Sequence, residues 1–196
     1  MKARYPVLLA AAAIASGCGR DEPREPSVTT PPASRLAGAR LPADLRKPRF
    51  SLRDQRGTRV TQAALNGHPT ALLFLAARCG ALCVLTVSQV KGAIDDIRPQ
   101  PGVVAVSIDP EHDSAGDARR LLARTGMTGR MSFLLGSRRD LAPVWRGFGV
   151  QPRLQRRAGS ARILLLDRAG EPRVAFPLPQ ATPERIAHDL RILGAE

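Results

Sequence analysis

Cysteine and histidine are scarce in this chain, three of each in 196 residues, and the scarcity narrows its chemistry. A structural zinc site wants four ligands, and beyond Cys79 and Cys83 no second Cys/His pair is present, which argues against zinc. Aromatic residues make up only 4% of the chain. A formal net charge of +13 would raise nucleic acid as a partner, but the arginines are scattered in doublets (Arg119–Arg120, Arg138–Arg139, Arg156–Arg157) with no aromatics between them. The charge is read instead as solvated surface, with attraction to anionic headgroups or an acidic protein as alternatives. The N-terminal apolar stretch VLLAAAAIA, Val7 to Ala15, is too short to cross a bilayer as a helix, which takes about 20 residues. No internal repeat is visible.

That stretch does have the layout of an export signal: Lys2 and Arg4 precede it and small residues follow. The segment ASGC, ending at Cys18, resembles the lipobox of bacterial lipoproteins. The resemblance implies that residues 1–17 are removed, that Cys18 is lipidated, and that the chain is tethered to a membrane of the cell envelope with its domain in the periplasm or another extracytoplasmic space. Export also weighs against nucleic acid. Residues 18–48 are rich in Pro, Ser, Thr and Ala and show no helix or strand period, so they are expected to form an extended spacer. The folded domain is expected over residues 49–196.

Within the domain, strand and helix signals alternate. TALLFLA (Thr70 to Ala76) and GVVAVSID (Gly102 to Asp109) are apolar runs of the buried-strand type. Between them, residues 81–97 predict a helix whose stripe is Leu82, Leu85, Val90, Ile94 and Ile97. Ser114 can cap a second helix ending near Gly126. MSFLL (Met131 to Leu135) predicts a third strand and RRDLAPVWRGFGV a short helix containing Pro143. ARILLLDRAGEPRVAF reads as a hairpin turning at Arg168 to Gly170. A last helix runs from Pro183 to Leu193, with Thr182 as its cap. This order is a thioredoxin-type plan: an α/β fold with a mixed central sheet flanked by helices on both faces.

On that plan Cys79 and Cys83 leave the end of a strand and enter the following helix. With Cys18 lipidated they have only each other, in a compartment where a disulfide persists. Positions i and i+4 share a helix face, so the two sulfurs can close a disulfide or share a metal. Both uses pass through thiolate, which the helix N-terminus and Arg78 favour. A purely structural disulfide is the alternative; its short loop would remove little entropy from the unfolded chain.

The segments FSLRDQRGTRVTQAALNGHPTALLFLAARCGALC, VVAVSIDPEHDS and ILLLDRAG resemble the SCO/SenC family of thioredoxin-fold proteins, from about Phe50 to the C-terminus. The resemblance rests on the CxxxC at Cys79 and Cys83 and on SIDPEHD with Asp109 and Asp113. The opening F-x-L-x-D-Q-x-G is shared with peroxiredoxins, but FLAARC lacks the Pro and Thr expected ahead of a peroxidatic cysteine. The resemblance implies a membrane-anchored protein that handles copper or thiol redox state while the copper centre of cytochrome c oxidase is assembled. It implies Cys79 and Cys83 as the catalytic dithiol or as Cu(I) ligands, with Asp109 and Asp113 beside them in a supporting role. The partner would be the copper-centre subunit of the oxidase or another extracytoplasmic thiol protein.

The chain also departs from the family pattern. Val84 stands where a proline usually follows the second cysteine. The family's copper-binding histidine maps to about Gly159, with no histidine near it, and Arg156 and Arg157 occupy the approach to Ile163 where a thioredoxin would carry its cis-proline. Of His68, His112 and His188, only His112 lies in a loop expected on the cysteine side of the sheet. Two thiolates suit Cu(I); without the third ligand, retention should weaken. The residues lean toward thiol–disulfide exchange. A Cu(I) chaperone without redox turnover and a protein-binding domain with an inert disulfide remain the alternatives.

Overall fold

A computed structural model describes residues 36–42, 44–45, 47–78, 80–152 and 162–196. The signal segment, Cys18, most of the spacer, Cys79, Arg156, Arg157 and Gly159 lie outside the described residues.

The strands are β1 (Ala39–Arg40), β2 (Ser51–Arg53), β3 (Arg59–Thr61), β4 (Thr70–Leu75), β5 (Gly102–Ser107), β6 (Ser132–Leu134), β7 (Arg162–Leu166) and β8 (Pro172–Pro177). The α-helices are α1 (Ala81–Ile94), α2 (Ala115–Arg124), α3 (Arg138–Gly147) and α4 (Pro183–Ala195). Six strands form one sheet in the order β1-β8-β7-β4-β5-β6. β4, β5 and β6 pair in parallel, and β7, β8 and β1 extend the sheet antiparallel beyond β4. The sheet is mixed, as the βαβ-then-hairpin order of the sequence requires.

β4 is buried along its whole length because helices cover both faces of the sheet. Leu73 and Leu75 face a core built with α1, α2 and α4, including Val87, Val90, Leu121, Ile186 and Leu190. Leu72 and Phe74 face the opposite core, filled by Leu141, Val144 and Trp145 of α3 and by Phe148. The period-2 alternation of β4 thus divides the interior into two layers. Ser114, Ser137 and Thr182 cap α2, α3 and α4 by accepting from backbone amides. At the β7–β8 turn Asp167 Oδ1 accepts from the amides of Ala169 and Glu171, and Gly170 takes a φ of 75°, a region that glycine enters without strain.

α1 differs from its expected form. It ends at Ile94 and buries Cys83, Thr86, Val87, Val90, Ala93 and Ile94, while Leu85 points outward. The helical period runs through Cys83, Val87, Val90 and Ile94, and one of the buried residues, Thr86, does not read as apolar. Thr86 fits inside because its hydroxyl donates to the Leu82 carbonyl at 2.8 Å.

The packed unit also reaches back into residues expected to be spacer. Leu36 is buried and β1 pairs with β8. The carboxylate of Asp189 on α4, itself fully buried, accepts from the amides of Ala37 at 2.7 Å and Gly38 at 2.9 Å. A Cβ at Gly38 would meet Val174 Cγ1 at 2.4 Å, so only glycine permits this approach. A segment without periodicity of its own is held by a distant acid. Two-residue strands leave no pattern in sequence.

β2 and β3 form a separate hairpin whose turn is organised by Asp54, which accepts from the amides of Arg56 and Thr58. Gln55 ties this hairpin to the sheet edge, accepting from Phe133 N at 2.8 Å.

Candidate functional site

The carboxyl ends of the parallel strands β4 and β5 carry two loops, and one carboxylate joins them. After β4 come Ala76, Ala77 and Arg78; Gly80 then caps α1 without a side-chain hydrogen bond, and no acidic residue stands in the first turn. The helix N-terminus thus keeps its partial positive charge. Cys83, third in the helix, is 3% exposed and disulfide-bonded. Its Sγ lies 3.6 Å from the carbonyl oxygen of Ala76, a distance at which the reduced thiol can donate.

The loop after β5 begins with Ser107 at the strand end. Its hydroxyl donates to Asp113 Oδ2 at 2.6 Å and accepts from Asp109 N at 3.2 Å, while its carbonyl accepts from Trp145 Nε1 at 2.9 Å. The other oxygen of Asp113 accepts from Ala77 N at 2.8 Å. Ala76 and Ala77 share one peptide group: its N–H is on Asp113 and its carbonyl faces Cys83 Sγ. Asp113 therefore fixes the cysteine loop against the second loop.

Burial pushes the Asp113 carboxyl above its ordinary range, against the lowering effect of the Ser107 and Ala77 hydrogen bonds, and the charges of Asp109 and Asp117 add to the rise. Asp109 takes a different position. Its Oδ1 meets His112 Nδ1 at 2.8 Å, and it lines a cavity of about 510 Å³ with Glu111, Arg138, Trp145 and Arg146.

Arg78 is exposed and shares a smaller cavity of about 190 Å³ with Ala77, Gly80, Asp117, Arg120 and Arg124. The hydrogen bond from Ser114 is the main cause holding the Asp117 carboxyl below its usual range, with Arg120 and Arg78 assisting.

His68 stands two residues before β4, at the end of that strand remote from the cysteine loop, about 20 Å away at 3.3 Å per residue. His188 is exposed on α4. His112 alone shares the site's loop. Among the described residues no group of three His, Cys, Asp or Glu side chains is placed to hold a metal. The donors that fit copper are the two cysteine sulfurs once reduced, since soft thiolates suit Cu(I) and a disulfide does not offer them.

Nothing in the sequence alone assigns Ser107, Trp145, Arg120 or Arg124 to this site. A serine in an apolar strand and the single tryptophan were the available signals for the first two. The two arginines carry none, because a helix surface rich in arginine looks the same wherever it faces.

A strand, loop and helix bearing a disulfide-bonded cysteine, set on a mixed sheet covered on both faces, define a thioredoxin-like thiol protein. The SCO1/SenC family model matches residues 39–194, and the chain belongs to that family. Copper-bound ScoI of Bradyrhizobium japonicum is 26% identical, with a TM-score of 0.58 over 74% of this chain and 97% of that one. Apo Sco1 of Thermus thermophilus is 24% identical, TM-score 0.65, covering 81% and 96%. BsSco, described as having a disulfide switch and as a member of the Sco family of cytochrome c oxidase assembly proteins, is 16% identical, TM-score 0.62, covering 80% and 98%; at that identity the likeness concerns the fold. No curated protein sequence matches the chain. No helix among the described residues is long and apolar enough to cross a membrane.

Proposed function

We propose that this protein is an extracytoplasmic, lipid-anchored member of the SCO1/SenC family whose Cys79/Cys83 dithiol exchanges disulfides with a partner during assembly of the cytochrome c oxidase copper centre. The observation that carries the proposal is the disulfide at Cys83, at the uncapped start of α1 and against the Ala76–Ala77 peptide that Asp113 holds. Cys79, nearer the strand end, attacks as thiolate. When it attacks a partner disulfide, one partner sulfur leaves as thiolate and Cys79 is joined to the other. Cys83 then gives up its proton and attacks Cys79 Sγ, closing Cys79–Cys83 and releasing the second partner thiolate. Two electrons pass to the partner, and the reverse sequence oxidises it. Arg78 favours the attacking thiolate. Asp113 holds the loop in place; Asp109 orients the neighbouring loop through Ser107 and His112. Lipidation at Cys18 keeps the domain at the membrane, and residues 19–35 supply its reach.

The test is a Cys83→Ser variant, which stalls exchange at the first step. It should accumulate a mixed disulfide between Cys79 and the copper-centre subunit; its absence from membrane extracts would refute the mechanism. A second reading is supported by the copper-bound relative at 26% identity: the reduced pair carries Cu(I) as cargo between its two thiolates. Copper that survives purification under reducing conditions, and is lost in Cys79→Ser, would favour that reading.

A further inference from the structure

The charge beside the cysteine loop is one-sided. Arg78, Arg120 and Arg124 line the 190 Å³ cavity with Ala77, Gly80 and a single acid, Asp117. Among the described residues that acid is ion-paired to Arg120, and its charge is also drawn on by Arg78. Three guanidinium groups therefore face one carboxylate at the N-terminus of α1, whose first turn holds no acid.

We infer that this cavity, with Arg78, Arg120 and Arg124 around it, docks an acidic cysteine-bearing segment of the partner protein, whose carboxylates meet the arginines. The inference rests on the exchange reading above and names the chemistry of its substrate. Guanidinium groups at a concave site recognise carboxylates by paired hydrogen bonds. Charge at the rim acts on the encounter rate and disappears with screening. An anionic membrane would also attract the arginines, but it offers no sulfur to the dithiol and does not call for a cavity at that point.

The test uses the reduced full-length chain and two synthetic peptides with the same internal disulfide, one flanked by glutamate and the other by glutamine. Exchange is quenched by alkylation and timed. The acidic peptide should react about 10-fold faster at low salt, and the advantage should vanish near 1 M salt, where the screening length falls to about 3 Å. Arg120→Gln with Arg124→Gln should reduce the acidic peptide's rate to that of the neutral one; Arg78 is left in place because its charge also acts on the thiolate. Equal rates in the unmodified protein, or an advantage that survives the double substitution, would overturn the docking surface and leave the exchange reading standing. No exchange with either peptide would remove both. A double variant that keeps the peptide preference but no longer binds phosphatidylglycerol vesicles would assign the arginines to the membrane and overturn the inference.

Discussion

Asp113 is the most informative residue to perturb, because alanine and asparagine at this position separate its hydrogen bonds from its charge. Alanine leaves two donors unpaired, the Ala77 amide and the Ser107 hydroxyl. An unsatisfied buried donor costs about 1–3 kcal/mol; since the hydroxyl can rotate to a new acceptor, Asp113→Ala should cost about 2–3 kcal/mol in all. For a domain of this size that is a fall of roughly 5–10 °C in Tm. Asparagine keeps an oxygen for the Ala77 amide and presents an NH₂ that the Ser107 oxygen can accept, so its cost should stay within about 1 kcal/mol. The charge adds a pH signature. Burial raises the folded-state pKa of Asp113, so the folded chain holds this proton more tightly than the unfolded chain. The stability it contributes is complete below the ordinary carboxylate pKa and is lost as pH rises through the raised folded value. Asparagine does not titrate there. Its stability relative to the unmodified protein should therefore improve as pH rises across that window. Thermal unfolding of the oxidised proteins across that window measures both effects. An asparagine variant as unstable as the alanine variant, with an offset that does not change with pH, would refute the reasoning.

Other outcomes follow from the same geometry. Asp189→Ala should release residues 36–40, since the amides of Ala37 and Gly38 lose their acceptor; hydrogen exchange at these two amides should speed by at least about 10-fold, the equivalent of about 1.4 kcal/mol. Trp145→Phe removes the five-membered ring from a buried position and with it the Nε1 bond to Ser107, and denaturant unfolding should show a loss of about 2–3 kcal/mol. Cys79→Ala should abolish oxidase copper-centre assembly in cells; assembly left intact would favour the inert-disulfide alternative.

The plan of the fold was legible because its central strands are unmistakable. TALLFLA and GVVAVSID are uninterrupted apolar runs, and Ser114, Thr182 and Pro183 mark helix starts by their own chemistry. The register of α1 was not legible. The stripe through Cys83, Val87, Val90 and Ile94 competes with one drawn through the leucines, and Thr86 is buried through a local hydrogen bond that no hydropathy pattern scores, so Leu85 was assigned to the core and lies outside it. β1 depends on a carboxylate about 150 residues away in sequence. At the site, Asp109 and Asp113 look equivalent in SIDPEHD. The structure separates them: Asp113 holds the cysteine loop, while Asp109 pairs with His112 and lines the larger cavity. That distinction depends on which carboxylate the Ala77 amide meets, a contact across 36 residues.

The central claim is that the cysteine pair is a working redox couple. Equilibrating the folded chain in buffers of graded dithiothreitol, then alkylating and weighing it, tests this most directly. One two-electron transition is expected, with the ratio of reduced to oxidised chain shifting tenfold per about 30 mV, both Cys79 and Cys83 labelled at its reducing end, and no such transition in Cys79→Ser. A pair that stays unlabelled in excess reductant while the protein remains folded would contradict the account and make the disulfide a brace.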